Sequence, residues 1–415
     1  MTTPIPPRKP ARHLRASDLR ALALLGTEAT RAVTTIAEGV HQSVWRSLGA
    51  RDGADSGQTR GLTGLVYQSI HGITQLVGKG LSSTFTLLEP LLRQLEGAPD
   101  DTPERAAVVA ALNGVMGDRL QASANPLATP MTLRHQGQVL SNATPPAAQA
   151  VTGKVLLVIH GLCMNDLQWS SQHQGKPVNH ASAISTALGY TPVYLRYNSG
   201  LHVSDNGAEL ARQLDDVLRH WPVPVQAVSV LAHSMGGLVM RSAVHCATQA
   251  GWQWLSQLKH IVFLGTPHHG APLERAGNWV DVLLGSTPYS RPLAKLGQLR
   301  SSGVTDLRYG LVLDSDWQGQ DRFRRQPDRR TPLPLPAGVA CFTVAATLAG
   351  QRSAMADRLV GDGLVPLPSA LGQHDEPRRC LDFPAAHQHI AYRTGHLQLL
   401  SDPTVAQQLL RWLGT

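Results

Sequence analysis

Four short runs hold the residue types that acyl transfer needs. The first is LAHSMGGLV at 231–239, where Ser234 stands between His233 and Met235 and is followed by Gly236-Gly237. A serine on a sharp turn between a strand and a helix projects its hydroxyl, provided small residues two places before and two after let the elements pack closely. Gly236 meets the second demand, and Ala232 stands where the motif more often has glycine. The run predicts a nucleophile, against a plain reading as a helix-capping serine. The second run is HGL at 160–162, directly after the apolar KVLLVI at 154–159. Attack on a carbonyl places negative charge on its oxygen, which calls for two preorganised N–H donors. The Met235 backbone N–H is one candidate and the Leu162 N–H the other, with Cys163 as the alternative to Leu162. His160 reads as a residue that ties this loop down.

An acid and then a histidine should follow the serine along the chain. Asp362 lies in VGDGLVPLPSA at 360–370, in a turn flanked by glycines, and His396 lies in RTGHLQLL at 393–400. In these roles His396 takes the Ser234 proton and returns it to the leaving group, while Asp362 fixes the imidazole tautomer. Asp357 and Asp382 are rivals for the acid, and His387 and His389 for the base. Asp166 and Trp169 are expected to brace the HGL loop and wall a pocket. The pair His268-His269 invites a metal, but no carboxylate stands at ligand spacing, so neither metal nor cofactor is expected.

The elements that must position these residues follow from hydrophobic patterning. Short apolar strands are predicted at 154–159, 191–197, 225–232, 259–264 and 339–345, with an edge hairpin at 131–140. Helices are predicted at 207–218, 235–250 and 403–413. Strands alternating with helices imply a right-handed, doubly wound parallel sheet. One connection, 265–338, is long enough to form a lid or binding loop, with the apolar WVDVLLG at 279–285 and the proline-rich PDRRTPLPLP at 327–336. Residues 1–16 read as a disordered basic arm and 17–125 as a helical region, including a helix at 106–120. The catalytic domain is expected over 126–415. Residues 61–88 carry one charge, Lys79, yet polar residues and glycines interrupt them, so a packed hairpin is favoured over a membrane span.

Composition excludes several classes. With 415 residues, 42% of them apolar and only 16% charged, the chain is neither disordered nor a coiled coil. A net charge of +8 is spread thinly, without the dense basic stripe of a nucleic-acid footprint. Four cysteines, none in a C-x-x-C pair, predict a reducing, cytoplasmic setting. The apolar run near the start falls short of the ~7–15 residues of a secretory signal, so none is expected.

Together, HGL, AHSMGG, GTPHHGAP (265–272), GDGLVP and GHLQLL make residues 128–415 resemble the α/β-hydrolase superfamily. More narrowly the chain is similar to bacterial esterase/lipase-type hydrolases described as GPI inositol-deacylase-like. The resemblance implies an α/β-hydrolase fold, Ser234 as nucleophile, Asp362 as acid, His396 as base, and an oxyanion hole at Leu162 and Met235. It implies a carboxylic ester hydrolase working through an acyl-enzyme. A thioesterase or acyltransferase would share this machinery, and a non-catalytic binding module on the same fold is the rival from a different class. The low-charge segments predict apolar acyl chains and reversible contact with a membrane surface. The motifs leave the natural substrate and the oligomeric state open.

Overall fold

The computed structural model describes residue 24 and residues 103–271, 300–321, 327–351 and 361–414. The basic arm, the helical region up to residue 102 apart from Leu24, Asp357 and the run 279–285 lie outside the described residues. The chain divides into two compact units, Met1–Arg105 with Ala122–Leu127, and Ala106–Gln121 with Ala128–Thr415. The second holds all the motifs above. Its Ala106–Gln121 segment is most of a helix, α1 (Pro103–Ala122), that the sequence grouped with the N-terminal helices.

An eight-stranded sheet forms the centre of this unit. Its strands are β1 (Thr132–His135), β2 (Gln138–Val139), β3 (Lys154–Ile159), β4 (Thr191–Arg196), β5 (Ala227–His233), β6 (Leu258–Leu264), β7 (Ala340–Thr347) and β8 (Gln388–Tyr392). They lie in the order β8-β7-β6-β5-β3-β4-β1-β2. The β1–β2 hairpin runs antiparallel against β4, and the other neighbours are parallel. Gln136 and Gly137 turn this hairpin with positive φ at both positions, which matches the right-handed twist of the strands.

The apolar strands are explained by burial on both sides. Leu157, Ile159, Val230, Ala232 and Phe263 enter one core with Leu210, Leu214 and Leu238 of the helices α3 (Val203–Arg219) and α4 (Met235–Ala250). Leu156, Val158, Leu231, Val262 and Val344 enter the other with Ile184 of α2 (His180–Leu188) and Leu409 and Trp412 of α5 (Pro403–Leu413). A parallel sheet covered on two faces has no polar side to alternate with. This doubly wound, mostly parallel sheet is the α/β-hydrolase fold.

Strand order reverses beside β3: the chain steps from β3 to β4 on one side and crosses to β5 on the other. Ile159 pairs with Ala232, so the loops after β3 and β5 leave the sheet side by side. Such a crevice at the carboxyl ends of the strands is where open α/β sheets place ligands. HGL and Ser234 are the residues that leave there.

One helix boundary and one whole helix depart from the expectation of the sequence. The α3 helix starts at Val203 rather than Gly207, because its N-terminus is capped from afar: Asp306 Oδ2 accepts from Val203 N at 2.8 Å. The α2 helix was not predicted, although Asn179 caps it through Ser182 N at 3.0 Å and Gly189 ends it with φ 72°. The β8 strand, QHIAY, has no counterpart among the strands expected from the sequence, and it carries His389, one of the rivals for the base.

Candidate active site

The turn between β5 and α4 holds Ser234 at φ 55° and ψ −126°, a conformation that side-chain-bearing residues rarely adopt. Such strain persists only where the surroundings over-determine it, and it clusters at functional sites. Here Ser234 N donates to Leu264 O at 2.8 Å and Gly237 N donates to Ser234 O at 3.0 Å. The glycines are sterically required: a Cβ on Gly236 would lie 2.6 Å from His160 O, and one on Gly237 2.1 Å from Thr266 Oγ1. Ser234 is buried, and its Oγ has no hydrogen-bond partner among the described residues.

The HGL loop passes directly over this serine. A Cβ on Gly161 would lie 2.9 Å from Ser234 Cβ. His160 holds the loop as expected. Its ring stacks on Tyr197 at 4.3 Å, its Nδ1 donates to Gly161 O at 2.9 Å, and Tyr197 Oη donates to His160 O at 2.9 Å. Tyr197 N donates to Nε2 at 3.4 Å, which fixes the neutral tautomer with the proton on Nδ1. Burial pushes this imidazole down to about 4. Cys163, with φ 60°, donates its N–H to Ser199 Oγ at 3.0 Å. That N–H is spent, which removes Cys163 as a candidate oxyanion donor. No described group accepts from the N–H of Leu162 or of Met235, the first residue of α4.

Asp362 and His396 meet, both buried, with His396 Nδ1 2.6 Å from Asp362 Oδ2. The carboxylate is set by its own turn: Oδ1 accepts from Leu364 N at 2.9 Å and Val365 N at 2.7 Å. Gly361, at φ 49°, would place a Cβ 2.0 Å from Val365 O, so this turn admits only glycine there. His396 N donates to Asp362 O at 3.0 Å, tying the two loops together a second time. The His396 ring lies beside Gly265, the residue after Leu264, and no hydrogen bond joins it to Ser234 Oγ. A Cβ on Gly265 would stand 3.2 Å from His396 Nδ1 and Cε1. Of the rivals, Asp382 is exposed, and His387 donates from Nδ1 to Cys341 O at 3.0 Å. His389 lies within β8, paired with Val344.

His233, beside Ser234 in the motif, packs against the base as well. Its ring packs 4.7 Å from that of His396, its Nε2 donates to His396 O at 3.2 Å, and Trp169 meets it edge-on. Burial first, and the nearby His396 second, hold it well below the usual imidazole range. Trp169 is fully buried and backs His233 rather than walling an open pocket. Asp166 does brace the region, through Arg196 and, at 3.5 Å, Arg134. His269 faces Arg330 at 2.9 Å, and no metal-binding group of three or more His, Cys, Asp or Glu exists among the described residues. No described helix is long and apolar enough to cross a membrane.

Buried neutral histidines make the fold acid-sensitive. His160, His180, His233 and His268 are all lowered by burial. Below about pH 6.5 the unfolded chain binds protons that the folded chain refuses, so stability falls as pH drops toward 4. The urea midpoint should therefore fall steeply between pH 6.5 and pH 4.5, and His160→Gln should flatten that slope. A midpoint constant over this range would contradict the assignment of neutral imidazoles.

Comparison with known proteins places the chain as follows. Residues 124–307 match the family model described as Domain of unknown function (DUF7379). No curated protein matches the chain. Among solved structures, the chain is similar to the mature lipase BlEst2 of Bacillus licheniformis, at 17% identity and a TM-score of 0.40, covering 69% of this chain and 99% of that one. A lipase-esterase related protein from Clostridium acetobutylicum matches at 14% identity and a TM-score of 0.34, over 68% of this chain and 99% of that one. Staphylococcus hyicus lipase matches at 13% and 0.34, over 67% and 96%.

Proposed function

We propose that this chain is a serine hydrolase that cleaves carboxylic esters through a covalent acyl-enzyme, without a cofactor. The observation that carries the reading is the buried His396–Asp362 pair at 2.6 Å, taken together with a serine held at φ 55° between β5 and α4. With its Nδ1 proton given to Asp362, His396 presents an Nε2 lone pair as the base. Ser234 Oγ attacks the acyl carbon while His396 takes its proton. The carbonyl oxygen becomes an oxyanion between the Leu162 and Met235 N–H groups. Collapse breaks the ester C–O bond, and His396 returns the proton to the departing alcohol. Water then repeats the sequence on the acyl-enzyme, releasing the carboxylic acid and restoring Ser234.

His233 and His160 stay neutral in this scheme. An additional positive charge beside His396 would oppose the imidazolium that forms during each step. The narrower likeness to GPI inositol-deacylase-like hydrolases, the apolar acyl preference and the membrane-surface contact rest on sequence, in part on residues 61–88 and 279–285. Each buried methylene is worth ~0.8 kcal/mol, so an apolar site discriminates steeply by chain length.

A series of p-nitrophenyl esters from acetate to palmitate, assayed below micelle formation, tests the function. Hydrolysis with kcat/KM rising from butyrate to laurate is the expected result. A flat or falling series would remove the apolar preference. Complete inertness of the folded chain toward every ester would favour the binding-module reading.

A further inference from the structure

Cys163 follows the proposed oxyanion donor Leu162 and carries an unusual backbone, φ 60° on a residue with a side chain. Something must hold it there, and contacts from two directions do. On one side, Ser199 Oγ accepts the Cys163 N–H at 3.0 Å, and Ser199 is itself 1% exposed. On the other side stands α1. A Cβ on Gly114 would lie 2.2 Å from Cys163 Sγ and 2.8 Å from both its Cα and its N. The thiol lies 4.0 Å from Ala111 O, and burial pushes it up to about 12, so it packs as a neutral group.

The loop that carries Ser199 is fixed in turn. Asn198 Nδ2 donates to Gly117 O of α1 at 3.0 Å, and Asn206 Nδ2 of α3 donates to Asn198 O at 3.0 Å. Gly303 N donates to Gly200 O at 3.1 Å, and Ser301 Oγ donates to Gly114 O at 2.6 Å. Ser199 and α1 thus clamp Cys163 and the Leu162–Cys163 peptide, which is joined through the Leu162 Cα to the peptide that carries the Leu162 N–H. Neither reaches the reacting atoms, and the hydrolytic scheme above assigns no role to either.

We propose that Ser199 is a positioning residue of the oxyanion hole, acting through the Cys163 N–H, with the 111–117 stretch of α1 as its backstop. The inference rests on the oxyanion assignment under Proposed function. It makes a helix outside the strand–helix repeat a working part of the site. Removing the Ser199 hydroxyl frees the Leu162–Cys163 peptide to rotate, and the shift passes through the Leu162 Cα to the adjoining Leu162 N–H, moving it away from the oxyanion. The loss falls on the transition state and spares ground-state binding.

The test uses the full chain, with active sites counted by stoichiometric fluorophosphonate titration so that unfolded molecules do not contribute. In Ser199→Ala, kcat on p-nitrophenyl butyrate should fall about 10- to 100-fold, since a small misplacement costs about that much. KM should stay within about twofold. A trifluoromethyl ketone forms a hemiketal oxyanion on the serine, so its Ki should rise by the same factor as kcat/KM falls. Ser199→Cys, with a weaker acceptor of similar size, should fall between the two, and Gly114→Ala should give the same kcat and Ki signature from the opposite side. These two variants carry the test if Ser199→Ala does not fold. Wild-type kcat and Ki per titrated site in the Ser199 variants, whatever their melting temperature, would overturn the inference alone. A wild-type chain that hydrolyses no ester would overturn the hydrolase reading, and this inference with it.

Discussion

Replacing Ser234 by alanine should lower kcat/KM for ester hydrolysis by at least about 10³-fold while the fold melts at an unchanged temperature. The two halves of that expectation have separate causes. Chemistry is lost because Ser234 alone brings a hydroxyl to the strained turn between β5 and α4, beside Gly161. Stability is kept because Ser234 Oγ makes no hydrogen bond among the described residues, so its removal orphans none of them. Alanine at φ 55° is no more strained than serine. The measurement is steady-state kinetics on the purified variant with a thermal melt beside it. A folded variant that keeps wild-type kcat/KM would take the nucleophile away from Ser234.

Asp362→Asn should cost about 10⁴-fold in kcat, comparable to losing the histidine itself, with little change in structure. The hydrogen bonds explain why so small a change is so damaging. The oxygen of an asparagine can still accept from Leu364 N and Val365 N, as Oδ1 of Asp362 does. That leaves the amide nitrogen facing His396 Nδ1, where the carboxylate now accepts at 2.6 Å. A donor in that place demands a lone pair on Nδ1, so the ring proton moves to Nε2. The base then cannot take the serine proton. The check is kcat of Asp362→Asn against Asp357→Asn and Asp382→Asn. Full activity in the first with loss in either of the others would reassign the acid.

Much of this site was legible because each motif is a local solution to a local problem. The strand–Ser–Gly-Gly–helix pattern at 227–250 is short-range sterics, and its helix, 235–250, falls where the pattern puts it. The apolar strands could be read because burial on both sheet faces leaves no polar side, so runs such as 155–159 and 261–264 are unbroken. What could not be read depends on partners distant in the chain. The start of α3 is set by Asp306, about a hundred residues away, and no capping residue stands at His202 to announce it. The pinning of Cys163 needs Ser199 and Gly114 together, one from the loop after β4 and one from α1. That segment of α1 looked like a member of the N-terminal helices because its own sequence is helical and gives no sign of what it packs on. The expectation for His396 rests on the chain order serine, acid, histidine, whereas the strand before it, QHIAY, is too polar and short to stand out as a strand by pattern.

The central claim is that Ser234 is a nucleophile activated by His396, and covalent labelling tests it most directly. The full chain is incubated with a fluorophosphonate, digested, and the modified peptide is sequenced by mass spectrometry. The account predicts one adduct per chain, on the hydroxyl of Ser234, formed rapidly in the wild type and suppressed in His396→Ala. An adduct on another residue, or none on folded wild-type chain, would contradict it.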